Sequence, residues 1–359
     1  MDIEFWKNKK VLITGHTGFK GSWLSLYLSF LQANIHGLAL EPLFINDLFN
    51  TAKVNNYISH NFCDIRDFDK VTKIVNHIKP EIIFHLAAQP LVRESYINSK
   101  YTWETNVMGT INLLESLKSF QHKCSVVIIT TDKVYNNNGK KYFYIEKDEL
   151  GGFDPYSSSK SAVELAVNSW RNSFYKSNNF IKIATARAGN VIGGGDWSKD
   201  RIIPDVIKNI EINKTVILRN PNYTRPWQHV LDPLQGYLTL AKELYTSENQ
   251  EIESAFNFGP LTNESYTVLN LVKEIFKTWG GKFEIKNEQD SLHESSELSL
   301  SINKSNNLLN WQPIFNFQEA VFHTVDWYKR NSLNENTYDI TMEQIKIFFN
   351  QHKKVNMNG

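Results

Sequence analysis

The run Lys9-Lys10-Val11-Leu12-Ile13-Thr14 breaks into Gly15-His16-Thr17-Gly18-Phe19-Lys20-Gly21 and resumes as an apolar segment from Trp23 to Leu31. A short buried strand, a glycine turn and an amphipathic helix in that order leave few folds open. The turn sets the helix amino end, with its unbonded N–H groups, over the end of the strand. Gly15 permits the tight turn, Gly18 lets backbone approach a pyrophosphate, and Gly21 allows close packing of helix on strand. The segment therefore predicts a dinucleotide site at the edge of a parallel sheet.

The rest of the chain supplies the strands such a sheet needs. Ile35 to Leu40 ends at Glu41, a candidate for the adenosine ribose hydroxyls, and no Arg follows it, which favours NAD over NADP. Asn61-Phe62-Cys63 runs into Asp64-Ile65-Arg66-Asp67, and Glu81 to Gln89 reads as a buried strand ending in small residues that let backbone lie against a cofactor. His85 stands inside that apolar strand and is expected to be a satisfied core histidine. Tyr101 to Phe120 predicts one long helix, with Val107, Ile111, Leu114 and Leu117 at helical spacing. Ile181 to Arg187 is another strand, and Ala255 to Gly259 is expected to return to the main sheet. The fold class is thus α/β, a Rossmann-type doubly wound parallel sheet with a smaller C-terminal substrate-binding domain. Residues 1–187, with returning segments near 228–260, are expected to hold the dinucleotide, and 188–359 mainly the substrate, the two interleaved.

Composition closes off other classes. Lys plus Arg number 39 against 38 Asp plus Glu, so no basic stripe points to nucleic acid. Cys63 and Cys124 show neither metal nor disulfide spacing, which suits a reducing cytosol and predicts no metal site. No apolar run approaches the roughly 20 residues of a membrane helix, and the start lacks a leader pattern, so a soluble cytoplasmic protein is expected.

Chemistry concentrates between Ile128 and Lys160. Ile128-Ile129-Thr130 ends a strand at Thr131-Asp132-Lys133, and after a polar insertion comes Asp154-Pro155-Tyr156-Ser157-Ser158-Ser159-Lys160. On a helix Tyr156 and Lys160 share one face, and a nearby ammonium is expected to lower a phenol's pKa from its usual value near ~10. Strand ends of open α/β sheets face the ligand crevice, so Thr131, Asp132 and Lys133 are expected to meet the Tyr156 helix there.

Together with His85-Leu86-Ala87-Ala88-Gln89-Pro90, Arg187 to Trp197 and Arg225-Pro226-Trp227-Gln228-His229, these motifs resemble the CDP-glucose 4,6-dehydratases. Those enzymes belong to the extended short-chain dehydrogenase/reductases and serve bacterial O-antigen (lipopolysaccharide) sugar pathways. The match covers roughly residues 5 to 260. The resemblance implies NAD held by Gly15, His16, Thr17, Gly18, Phe19, Lys20, Gly21, Asp64, Ile65, Leu86, Ala87, Ala88, Gln89, Asn106, Tyr156 and Lys160. It implies CDP-glucose gripped by Asn190, Arg201, Arg219 and Arg225, and a homodimer or higher homo-oligomer. Catalysis falls to Thr131, Asp132, Lys133, Tyr156 and Lys160: Tyr156 as base for the 4-hydroxyl, Asp132 as acid for the departing 6-hydroxyl, and Lys133, where many related dehydratases carry a glutamate, as base for carbon 5 or, alternatively, as a charge that stabilises the developing enolate. The insertion Val134 to Leu150 departs from the family's tryptophan-bearing loop and leaves substrate identity open, with UDP-N-acetylglucosamine-type inverting dehydratases and sugar-nucleotide epimerases as alternatives. A non-catalytic NAD-binding sensor is a further class, although it has no need of Tyr156 and Lys160. From Ser291 onward, and in the polar end from Asn334 to Gly359, no chemistry is read.

Overall fold

The computed structural model describes residues 2–137, 139, 142–176, 180–261, 266–286 and 298–357. Parts of the Val134–Leu150 insertion (138, 140 and 141) and of the stretch from Ser291 (291–297) lie outside them. Among the described residues, seven parallel strands form the central sheet: β1 Lys10–Thr14, β2 Asn34–Ala39, β3 Ser59–Phe62, β4 Ile82–His85, β5 Cys124–Ile129, β6 Ile181–Ala188 and β7 Ala255–Phe258. Their order is β7-β6-β5-β4-β1-β2-β3. The chain thus winds one way from β1 and then the other, and the switch point between β1 and β4 opens the crevice where such folds bind ligands.

Strand side chains alternate between the two faces, and both faces are covered, which is why the strands read as unbroken apolar runs. Val11, Ile13, Val127 and Ile129 join one core with Trp23 and Leu28 of α1 (Phe19–Phe30). Leu12, Val126 and Ile128 join the other with Val71 and Val75 of α2 (Phe68–Ile78) and Leu113 and Leu114 of α3 (Gly109–Ser116). Val163 and Val167 of α4 (Pro155–Trp170) complete that second core. As expected, β7 returns to the sheet, pairing in parallel with β6 from Ala255 opposite Thr185 to Phe258 opposite Ala188. Between them in the chain, α5 (Leu231–Thr246) packs on the sheet through Leu234, Leu238 and Ala241.

Two expectations are corrected. The segment after the glycine turn is not amphipathic: residues from Gly21 to Leu28 of α1 are all buried. Its cover is the polar chain end, which folds as α7 (Thr337–Met357) after α6 (Phe317–Ser332). Ile340, Ile345, Phe348 and Phe349 recur at helical spacing and are buried, Phe348 edge-on to Tyr27 and Phe349 to Phe30. The long helix read from Tyr101 to Phe120 is interrupted. A helix over Ser99–Trp103 gives way to a π turn at Glu104–Met108 before α3 begins. The wider turn accompanies Asn106 bonding inward rather than a break for solvent. No helix among the described residues is long and apolar enough to cross a membrane.

Candidate active site

Gly15 adopts φ +76, and a Cβ there would stand 2.7 Å from the Ala87 nitrogen; at Gly21 it would stand 2.1 Å from the Gly15 carbonyl. Glycine is thus required on both sides of the turn. Gly18 opens α1 with no side chain capping it, and its Cβ direction meets nothing nearer than 3.5 Å. An uncapped helix amino end that carries no side chain is what a pyrophosphate needs, so the residues present fit a dinucleotide. Thr17 ties the turn to the end of β2 by donating its hydroxyl to the Leu40 carbonyl, 2.9 Å. Phe19 lies half-buried against Gly193. His16 is buried with neither ring nitrogen hydrogen-bonded, and burial pushes it down to about 4, so its ring is neutral wall.

Further along the crevice, the Leu86 N–H donates to the Thr14 carbonyl and the Ala87 N–H to the Thr14 hydroxyl, holding half-buried Ala87 and Ala88 beside the glycine turn. His85 is the core histidine expected: Nδ1 lies 2.7 Å from the Thr14 hydroxyl and Nε2 3.0 Å from the Thr110 hydroxyl. Asn106 accepts from the Gln89 N–H at 2.8 Å and donates to the Gln89 carbonyl and the Ser159 hydroxyl. The π turn therefore ties the β4 end to α4. Asp64 pairs with Arg66 through both carboxylate oxygens, while Ile65 is buried against Gly109. Glu41 is exposed past the end of β2.

The Asp154-Pro155 cap starts α4: Asp154 accepts from the Ser157 N–H at 2.9 Å and the Ser157 hydroxyl at 2.6 Å, and Pro155 takes the first turn, where no N–H is needed. That start swings Tyr156 under the β5 end. The Thr131 hydroxyl donates to Asp132 Oδ1 at 2.9 Å, and Thr131 and Asp132 both act on the Tyr156 phenol, Thr131 favouring its ionised form and the Asp132 charge opposing it. The second Asp132 oxygen is buried and unpartnered, against the bare Cα of Gly189. Lys133 follows in the same turn, half-buried, its N–H on the Thr131 hydroxyl at 3.4 Å.

The expected lowering of the phenol is not what this arrangement produces. Burial pushes Tyr156 up to about 12; the Thr131 bond and the Arg201 charge oppose this, and the Asp132 charge adds to it. Lys160 Nζ instead donates to the Ile129 carbonyl at 3.2 Å, and burial pulls its ammonium down to about 8 against the Glu164 carboxylate. In a site this enclosed, desolvation of both groups outweighs a charge one helical turn away. Lys20 is a second cation here: its Nζ lies 3.5 Å from the Tyr237 hydroxyl. Burial and Arg201 pull it down to about 7 against Asp132.

Of the residues read as gripping substrate, Asn190 takes φ 46 and leaves Nδ2 buried without a partner. Arg225 is buried beside Tyr223 and donates to the Thr224 carbonyl at 2.9 Å. Arg201 lies 3.6 Å from Asp196, and its charge acts on Tyr156 and Lys20. Arg219 is exposed, with its charge acting on Asp205. Sequence reading does not single out Gly189 or Glu164. The spacing of Glu164, four residues past Lys160 as Lys160 is past Tyr156, is the signal that marks its place on the same face.

Comparison with known proteins gives the family of the chain. The family model described as GDP-mannose 4,6 dehydratase matches residues 12–324. The chain is similar to the CDP-glucose 4,6-dehydratase of Salmonella typhimurium strain LT2, 44% identical over 92% of this chain and 93% of that one. Its fold is similar to dTDP-glucose 4,6-dehydratase from Bacillus anthracis in complex with NAD, with a TM-score of 0.75 at 23% identity over 90% of this chain and 97% of that one. UDP-glucose 4-epimerase from Thermotoga maritima, with UDP-glucose, gives 0.75 at 21% identity over 90% and 99%.

Proposed function

We propose that this chain, which belongs to the GDP-mannose 4,6 dehydratase family, is an NAD-dependent hydro-lyase. It converts CDP-D-glucose to CDP-4-dehydro-6-deoxy-D-glucose and water. The observation that carries the reading is the buried Asp132 carboxylate, held by the Thr131 hydroxyl at the strand end that faces the Tyr156 phenol and acts electrostatically on it. Oxidation at carbon 4 needs a base; loss of water across carbons 5 and 6 needs an acid beside it. An epimerase needs no such acid.

Bound NAD supplies the acceptance and return of the electron pair of carbon 4. The glycine turn, Ile65, the Leu86 to Gln89 backbone and Asn106 hold it. Tyr156 takes the 4-hydroxyl proton while Thr131 bonds the same hydroxyl. With the phenol pushed up by burial, the Arg201 charge favours its ionised form, and Lys160, one helical turn away, is assigned the cofactor ribose. The 4-ketone acidifies the carbon 5 proton, which Lys133 removes in its neutral form, and Asp132 gives a proton to the departing 6-hydroxyl. Asn190, Arg219 and Arg225 take the sugar nucleotide's diphosphate, for which a planar guanidinium fork suits. Residues 1–187 with 228–260 serve NAD, and the remainder of 188–359 mainly the substrate.

We assign the enzyme to the cytoplasm, to the O-antigen (lipopolysaccharide) sugar pathways and to a homodimer. Exposed Trp103 and Met108 on one helical segment, and Leu165 and Phe174 on the other, supply apolar surface for the second copy. Incubation of the pure protein with CDP-glucose, UDP-glucose and UDP-N-acetylglucosamine tests the reading. CDP-glucose is expected to give the 4-keto product, absorbing in alkali, without stoichiometric NAD. Preference for another nucleotide, or NADH accumulating in step with product, contradicts it.

A further inference from the structure

We propose that Glu164 is a positioning residue of the reaction: its carboxylate locks the helix carrying Tyr156 and Lys160 onto the strand carrying Thr131 and Asp132, and keeps the Lys160 ammonium charged. The inference rests on the roles given above to Tyr156 and Lys160.

Tyr156, Lys160 and Glu164 are spaced by four and share one face of α4. The latter two dock on successive residues of one strand end. Lys160 Nζ donates to the Ile129 carbonyl at 3.2 Å, and the Thr130 hydroxyl donates to Glu164 Oε1 at 2.6 Å. The next residues of that strand end are Thr131 and Asp132. The other Glu164 oxygen accepts from the Thr185 hydroxyl at 2.7 Å, and Arg187 forks onto both at 3.0 and 2.9 Å. Although burial pushes the Glu164 carboxyl up, Arg187 and the two hydroxyls more than offset it, so the group is ionised.

Arg187 continues outward to the Tyr135 hydroxyl at 2.8 Å and the Glu146 carbonyl at 3.2 Å. Tyr135 donates to Asn257 Oδ1 at 2.7 Å, and Asn257 Nδ2 donates to the Tyr144 and Ser301 carbonyls. Phe143–Tyr144 pairs in parallel with Ser299–Leu300. The described part of the insertion is therefore a strut for this ion pair.

A well-packed apolar pair is commonly as stable as a buried ion pair, so fold stability alone does not call for the charge. Lys160 does. The ionisable groups acting with it are Lys20 from α1, His85 from β4 and Glu164 from its own helix. His85 is held neutral by burial, and Lys20 is of like charge. Glu164 is what opposes the burial of Lys160.

The test is Glu164→Gln, which keeps an oxygen for the hydroxyls and removes the charge. Lysine labelled at the ε-carbon is titrated by NMR in the NAD-loaded protein, the Lys160 signal being identified by its loss in Lys160→Met. The Lys160 midpoint is expected to fall by about one unit or more relative to the parent. The alkaline limb of kcat is expected to move to lower pH with it, while KM stays within about twofold. An unmoved midpoint in a folded variant overturns the proposal. If Glu164→Gln does not fold, Glu164→Gln with Arg187→Met, which leaves no unpaired buried guanidinium, is read the same way. Failure of the wild type to make a 4-keto sugar would overturn the function and leave the Lys160 titration to be read by itself.

Discussion

Gly189 is where the geometry makes its sharpest demand. A Cβ at that position would stand 1.9 Å from Asp132 Oδ2 and 2.1 Å from its Cγ. Ordinary non-bonded contact is about 3.5 Å, so in Gly189→Ala the carboxylate or the loop must retreat by about 1.5 Å. The loop has little freedom: the Gly189 carbonyl accepts from buried Gln228 at 3.1 Å, and Gly189 directly follows β6. The carboxylate therefore moves, giving up its bond to Thr131. A displacement of about 1 Å in a catalytic group costs about a hundredfold, so kcat is expected to fall by about that factor or more. Overpacking is expected to cost about 1–3 kcal/mol of stability by denaturant melts. Stopped-flow mixing with CDP-glucose separates the steps. Since the added methyl meets Asp132 and not Tyr156, oxidation of carbon 4 is expected to proceed and the reduced-cofactor absorbance to develop, but loss of water to stall. Parent-like turnover, or a folded variant that no longer reduces cofactor, would refute the assignment of Asp132 as the acid.

Lys133→Ala is expected to oxidise carbon 4 in a single turnover yet take up no deuterium at carbon 5 from heavy water; normal exchange would make Lys133 an electrostatic helper. Asp232, pushed up to about 8 by burial, keeps in the fold a proton that the unfolded chain gives up near 3.8. Stability is therefore expected to decline as pH rises from about 4 to 8. Asp232→Asn, which can still accept from the Ile314 N–H, should gain in melting temperature progressively over that window and not at its acid end. Phe348→Ala, on the helix covering α1, is expected to lose about 3–5 kcal/mol in denaturant melts; a loss below 1 kcal/mol would mean α7 is not part of the core.

The parts legible in the sequence are those set by local rules. The glycine turn announces itself because backbone geometry at Gly15 and Gly21 admits no side chain, and the strands because burial on two faces leaves unbroken apolar runs. Tyr156 and Lys160 are legible as a pair because helix spacing puts them on one face. Their pKa values are not, because desolvation depends on everything packed around them. The same holds for α7, whose few apolar positions look like a polar tail until Tyr27 and Phe30 supply the surface they cover. Asn106 sits in a π turn because its side chain reaches Gln89 and Ser159, contacts 17 and 53 residues away in the chain. Arg187 reads as a strand end until Glu164, 23 residues earlier, meets it.

The central claim is that the pair of electrons taken from carbon 4 returns to carbon 6 of the same sugar, with Tyr156, Lys133 and Asp132 handling the protons. Conversion of CDP-glucose carrying deuterium at carbon 4, followed by NMR of the product, tests it most directly. The product is expected to carry that deuterium on its carbon 6 methyl group. Deuterium recovered in released cofactor or in solvent, with an unlabelled methyl group, would contradict it.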